Sequence, residues 1–272
     1  MKSILFVPAD RPKLFEKAAK SAASVVCLDL EDGVAPGNKA NARRHISEAV
    51  QVLKNAGKQV AVRVNSDLEL ISDDFNFLTH DVSILVVPKA GSAHFLFEVQ
   101  ASLVRLFGAE RDLIPLIESA SDLTELERST VLPASVTALC LGTEDFAADL
   151  GVSADSKMIE SAFERLAILA RRQSTQLFGY PGSIAEFQDL DKFSGWCRRG
   201  KAAGSVGGFA IHPAQVETLN DCFSLTEQER KNAKDIVEAF EAALAQGSGV
   251  ISLHGRMIDR PVYLAALRML SN

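Results

Sequence analysis

Two acids stand side by side where an apolar run ends. In LCLGTEDFAADLG, the run Ala138–Leu141 stops at Gly142 and Thr143 and is followed at once by Glu144 and Asp145. A third acid, Glu118, closes another apolar run, LIPLIES. Neighbouring strands lie about 4.8 Å apart, so acids at the tips of consecutive strands could grip one cation. Carboxylate oxygens suit a hard ion such as Mg²⁺, which takes one or two carboxylates and fills its shell with water or substrate oxygens. The same acids could instead cap the following helices or pair with Arg63 and Lys89. Alternation along the strand lets only one of Glu144 and Asp145 point inward, so Glu144 could bind the metal instead of Asp145.

Arg63 is the second chemical signal. It sits inside VAVRVN, and an arginine in an apolar strand needs an acidic partner or an anionic ligand. Glu31 or Asp32, in DLEDG, could serve as a structural partner. His212, in IHP, could act as a base, although a lone histidine at a strand end more often makes a structural hydrogen bond.

These residues need a frame that delivers them to one place. Eight runs read as strands: residues 4–9, 25–30, 60–65, 83–89, 113–119, 136–142, 175–181 and 207–213. Most are continuously apolar, as parallel strands covered on both faces are. Between them, residues 13–23, 39–55, 93–107, 159–172 and 193–203 carry apolar side chains at helical spacing. The pattern predicts an α/β fold, a (β/α)₈ barrel, with an open doubly wound sheet as the rival; no Gly-rich dinucleotide fingerprint follows the first strand. In such a barrel the strands' C-terminal ends carry the site. Those ends deliver Asp10 and Arg11, then Asp29, Glu31 and Asp32, then Arg63 and Asn65, Lys89, Glu118, Glu144 and Asp145, Tyr180, and His212. The boundaries predict a barrel over residues 1–222. Residues 223–272 add a charged helix (226–246), a Gly-rich hinge, a short polar segment and a final helix.

Composition bounds the function. A net charge of −6 argues against general nucleic-acid affinity. The four cysteines show no CxxC spacing, which argues against zinc or a redox pair and for small core residues in a reducing compartment. No apolar run approaches the ~20 residues of a membrane span, and the N-terminus enters a strand almost at once, so a cytoplasmic protein is the expectation.

The motifs SILFVPADRP, VVCLDLEDGVAPGNKANAR, VAVRVN, VVPKA, PLIESA, LGTEDFAADLG, FAIHPAQV and GRMIDRPV run in order from Ser3 to Val262. Together they resemble the citrate lyase beta-subunit-like family, with its malyl-CoA and citramalyl-CoA lyases and related thioesterases. The resemblance implies a (β/α)₈ barrel holding Mg²⁺ through Glu118 and Asp145. It implies that Arg63, with Arg11, Lys89 and Glu118, binds substrate, and that Asp29, Glu31 and Asp32 form a supporting layer. It further implies a homotrimer or hexamer in which a C-terminal helical lid carries Asp259 to a neighbour's site as the base. The expected activity is Mg²⁺-dependent cleavage, or formation, of a β-hydroxyacyl-CoA into an acyl-CoA and a 2-keto acid. A citrate lyase beta subunit acting on a citryl-acyl carrier protein, a β-hydroxyacyl-CoA thioesterase, and a catalytically silent assembly protein are the alternatives. The chain departs from the family pattern at Gly91, where relatives often carry an acid, and at Gly208, where many carry a basic residue.

Overall fold

A computed structural model describes residues 1–271. The chain divides into two compact units, Met1–Phe223 and the segment from Ser224 onward.

The first unit is a ring of eight parallel strands. They are β1 (Ser3–Pro8), β2 (Val25–Asp29), β3 (Gln59–Arg63), β4 (Val82–Val87), β5 (Asp112–Ile117), β6 (Ala138–Leu141), β7 (Gln176–Phe178) and β8 (Gly208–Ala210). β1 to β7 pair in sequence order, and β8 pairs with β1. Between β7 and the approach to β8, the amide of Val206 donates to the Leu177 carbonyl at 3.1 Å and that of Gly179 to the Gly207 carbonyl at 2.8 Å. These bonds bring the two ends of the sheet together into a (β/α)₈ barrel and exclude the open-sheet rival.

The helices follow from the same periodicities. α1 (Phe15–Ala19) is short; α2 (Lys39–Asn55), α4 (Ala93–Phe107), α7 (Lys157–Arg172) and α8 (Leu190–Ala202) lie where apolar spacing predicts them. Four short helices lie outside the segments given as helical: α3 (Leu68–Phe75), α5 (Ala120–Arg128), α6 (Thr143–Leu150) and α9 (Pro213–Phe223). At two turns or so, they present too few apolar positions for a period to stand out. Side-chain caps mark α3 and α5: Asp67 accepts from the amides of Glu69 and Leu70, and Ser119 accepts from Asp122.

The core has two parts, as a covered barrel requires. Outward-facing residues such as Leu28, Val62, Leu85 and Leu139 pack beneath the helices. Inward-facing residues, including Cys27, Ala61, Leu116, Cys140 and Phe209, fill the barrel. Two residues beyond Cys27, Ala61, Leu116 and Cys140 on the same faces come Asp29, Arg63, Glu118 and Gly142. Period two therefore turns one layer of barrel core into one rim of polar groups.

The second unit consists of α10 (Glu227–Ala245), the hairpin β9 (Ile251–Leu253) and β10 (Arg256–Ile258), and α11 (Arg260–Ser271). A capping box between Thr226 and Glu229 starts α10. Phe240 stacks on Tyr263 with ring centroids 4.9 Å apart, tying α10 to α11. The predicted polar segment forms the antiparallel hairpin, its turn made by His254 and Gly255, both at positive φ. No helix among the described residues is long and apolar enough to cross a membrane.

Candidate active site

Arg63 ends β3 directly across the register from Asp29, the last residue of β2. Its Nε and Nη2 donate to Oδ1 and Oδ2 of Asp29 at 2.8 and 2.7 Å. Nη1 lies 3.0 Å from Oε2 of Glu31. The ring of Phe6 lies under the guanidinium, 4.8 Å from its centre. Burial works against the charge of Arg63, but the hydrogen bonds and charge of Asp29, then the charge of Glu31, raise its pKa overall. A guanidinium has five N–H donors. Two are spent in hydrogen bonds to Asp29, and Nη1 faces Glu31 as an ion pair, on a side chain that borders a cavity at the C-terminal end of the barrel.

Asp29 is itself saturated. Besides the Arg63 fork, it accepts from the amides of Glu31 at 2.9 Å and Gly33 at 2.8 Å. Lys39 steadies the same turn, donating from Nζ to the carbonyls of Leu30 and Glu31 at 2.7 and 2.6 Å. Asp32 is exposed; its amide donates to Glu31 at 3.2 Å, and its side chain is not a partner of Arg63.

The cavity has a volume of about 100 Å³, and Arg63, Glu118, Gly142, Thr143, Glu144 and Asp145 edge it. Glu118 is only 4 % exposed. One of its oxygens accepts the backbone N–H of Lys89 at 2.9 Å. Burial, then the charges of Glu31 and Asp145, push its carboxyl up to about 8. Gly142 makes room for it: a Cβ there would lie 2.5 Å from Glu118 Cγ.

Asp145 is not at a strand tip. β6 ends at Leu141, Gly142 caps α6, and Glu144 and Asp145 both lie in the first helical turn. Rotation of about 100° per residue, and not strand alternation, separates their side chains. Glu144 is committed to the following loop, accepting from the hydroxyl of Ser183. Asp145 makes no hydrogen bond or ion pair with the described residues, and burial, then the charge of Asp32, raise its pKa.

Among the described residues, no three His, Cys, Asp or Glu side chains are grouped to hold a metal alone. The donors at hand are two carboxylates, each raised in pKa, one of them unpartnered. That set fits a hard divalent cation that keeps several water or substrate oxygens. It does not fit zinc, which wants a fuller shell of nitrogen and sulfur.

The other candidates lie as follows. Lys89 has φ +50°, and its amine is 3.8 Å from Glu31. Arg11 is exposed in the turn after β1 and does not edge the cavity. Asn65 is turned to Asp74, which also anchors Arg43, so it belongs to the scaffold. His212 accepts the Ala214 amide at 3.2 Å and stacks on Phe187, so it caps α9. Asp259, in the second unit, accepts the Val262 amide at 3.2 Å and caps α11. Side chains at Gly91 and Gly208 would collide with the backbone of Asp122 at 2.3 Å and the ring of Tyr180 at 2.8 Å. Three contributors escaped the residue-level reading: Gly142, Phe6 beneath Arg63, and Thr143, whose hydroxyl donates to the Gly182 carbonyl at 2.7 Å. A glycine between an apolar run and an acid pair was the one available signal.

Residues 2–213 match the family model HpcH/HpaI aldolase/citrate lyase. The chain is 33% identical over 282 aligned residues to an L-malyl-CoA/beta-methylmalyl-CoA lyase of Cereibacter sphaeroides, covering 94% of this chain and 89% of that one. It is 26% identical to a citrate lyase subunit beta of Leuconostoc mesenteroides, covering 99% and 92%. Among solved structures it is similar to the protein CitE of Mycobacterium tuberculosis in complex with magnesium, acetoacetate and coenzyme A. That likeness has a TM-score of 0.74 at 25% identity and covers 100% and 98% of the two chains.

Proposed function

This chain belongs to the HpcH/HpaI aldolase/citrate lyase family, and we propose that within it the protein is a Mg²⁺-dependent carbon–carbon lyase. Its substrate is a β-hydroxyacyl-CoA, cleaved to an acyl-CoA and a 2-oxo acid, or formed from them. The observation that carries this reading is the convergence of Arg63, Glu118 and Asp145 on one cavity at the C-terminal end of the barrel. The similarity to a lyase of malyl-CoA, and to a structure with magnesium and coenzyme A, supports it.

Glu118 and Asp145 would hold the Mg²⁺. When bound, the ion supplies Lewis-acid polarisation of the oxo acid's carbonyl. The chain's own groups do the rest. Arg63 directs the N–H donors that Asp29 leaves free at the oxygen that gains negative charge as the C–C bond forms. Asp29 and Glu31 hold that guanidinium in place and leave it little freedom to lose on binding. The amides at the N-terminus of α6, which has no side-chain cap, favour a carboxylate.

In cleavage, a base takes the β-hydroxyl proton. The C–C bond breaks as the carbonyl forms, and its electron pair passes to the thioester as an enolate, which then takes a proton. We assign the base to Asp259, presented by the second unit to the barrel of a neighbouring copy in a homo-oligomer. Capping of α11 occupies one of its oxygens and leaves the other available.

The test is direct. Mg²⁺-loaded protein is incubated with malyl-CoA and citramalyl-CoA, and the products are separated. A 2-oxo acid with acetyl-CoA supports the lyase. Free malate or citramalate with CoA would mean a thioesterase. Turnover only of a citryl group on acyl carrier protein would mean a citrate lyase beta subunit. No turnover of any thioester despite Mg²⁺ binding would sink all three.

A further inference from the structure

We infer that the 2-oxo acid handled at this site is a monocarboxylate with a short aliphatic chain, and is neither glyoxylate nor a dicarboxylate. The inference rests on the lyase reading and adds the identity of the third substituent on the reacting carbonyl. The polar groups edging the cavity, Arg63, Glu118 and Asp145, lie on its rim. Its floor is apolar: Phe6, Leu116, Cys140 and Phe209 from the barrel strands, with Ile184 of the loop after β7. The Phe6 and Phe209 rings stack with centroids 4.7 Å apart.

A 2-oxo acid has three groups in the plane of its reacting carbon. The carboxylate and the carbonyl oxygen are drawn to the rim. A CoA thioester is far too large for a cavity of about 100 Å³, so it arrives at the mouth and meets one face of that plane. The third group is left against the floor. Glyoxylate puts only a hydrogen there. The cavity's volume is several times the roughly 10–15 Å³ that one water needs, so it has space for a short alkyl group.

Charge excludes the dicarboxylates. Arg63 is the one cation among the described residues lining the cavity, and it is already hydrogen-bonded to Asp29 and ion-paired with Glu31. Glu118, Glu144 and Asp145 line the same space. A second carboxylate on the floor would lose water without gaining a partner. An alkyl group there gains about 0.8 kcal/mol, roughly fourfold, per methylene buried.

The experiment measures kcat/KM for condensation of acetyl-CoA with glyoxylate, pyruvate, 2-oxobutyrate, 2-oxovalerate and oxaloacetate, using Mg²⁺-loaded protein. Thermal stabilisation by each acid without CoA gives a second readout. The expected result is a rise of at least fourfold per carbon from glyoxylate to 2-oxobutyrate, with oxaloacetate at least tenfold below pyruvate. Cys140→Leu, which fills the floor, should move the optimum to a shorter acid, and Leu116→Ala to a longer one. The wild-type series decides the matter even if either variant fails to fold. Preference for glyoxylate or oxaloacetate, with turnover intact, overturns this inference alone. Absence of turnover and of stabilisation with every acid overturns the lyase reading and this inference with it.

Discussion

Asp29 holds Arg63 by both of its oxygens, at 2.8 and 2.7 Å, and the two residues face each other in register on adjacent strands. The pair serves the scaffold and the site at once. Its carboxylate is spent entirely on protein donors, while its guanidinium borders the cavity.

Arg63→Lys keeps a charge but loses the planar fork. The expected outcome is a fall in kcat/KM for the 2-oxo acid on the order of 10²-fold or more, with acyl-CoA binding little changed. Steady-state kinetics with each substrate varied in turn checks this. If oxo-acid binding survives intact, Arg63 is a structural ion-pair residue only.

Asp29→Ala leaves the guanidinium buried with only Glu31 beside it. Breaking such a pair typically costs about 3–5 kcal/mol. Urea unfolding should show a loss of that size, together with loss of activity. An unchanged midpoint would mean the pair adds nothing to the fold.

Glu118→Ala and Asp145→Ala each remove one of the two proposed protein ligands. Both variants should fold and bind Mg²⁺ much more weakly, by calorimetric titration. Gly142→Ala should resemble them in part, because its methyl group would press on Glu118 Cγ at 2.5 Å. Overpacking of that kind costs roughly 1–3 kcal/mol. Wild-type Mg²⁺ affinity in either ligand variant removes that residue from the site.

The Glu118 carboxyl titrates near 8 in the folded protein, against 4.5 for an ordinary glutamate. Between these values the native state holds a proton that the unfolded chain has released. Stability from this group is therefore full below about 4.5 and falls as pH rises towards 8. A cation competes with that proton, so Mg²⁺ should raise the melting temperature more at pH 8.5 than at pH 6. Glu118→Gln should flatten both dependences. Equal stabilisation by Mg²⁺ at the two pH values would refute the assignment.

Asp259→Asn should retain Mg²⁺ and oxo-acid binding and lose turnover by about 10² to 10⁴-fold. Mixing it with Glu118→Ala chains under subunit exchange should restore partial activity, because some interfaces then join an intact metal site to an intact Asp259. No recovery despite demonstrated exchange would mean that Asp259 is not the base of a neighbour's site.

Much of this was legible in the sequence. The apolar strands declared a covered parallel sheet, and their polar last residues gave the side on which chemistry would gather. Glu118 and Arg63 could be read because each interrupts or ends an apolar run. Asp145 was placed on the wrong element, since LCLG gives no sign of which residue ends the strand; its helix is too short to announce itself by period. Glu31 is a partner of Arg63 as the sequence allows, but Asp29, which holds the guanidinium by both oxygens, is hidden by Glu31 and Asp32 nearby. Only strand register separates the three acids, and register is a property of two segments 34 residues apart. Gly142 and Phe6 act by the space they leave or fill, which no residue type declares.

The two cations paired with the Glu31 carboxylate differ in how they meet water. Arg63 is 13 % exposed and fixed by short bonds, whereas the Lys89 side chain is 56 % exposed and stands 3.8 Å from the same acid. Dissolved salt screens solvent-exposed pairs and reaches buried ones poorly. Raising ionic strength should therefore strip Lys89 from Glu31 and leave Arg63 where it is, so that the lysine becomes a contact tuned by the surrounding medium beside one that ignores it.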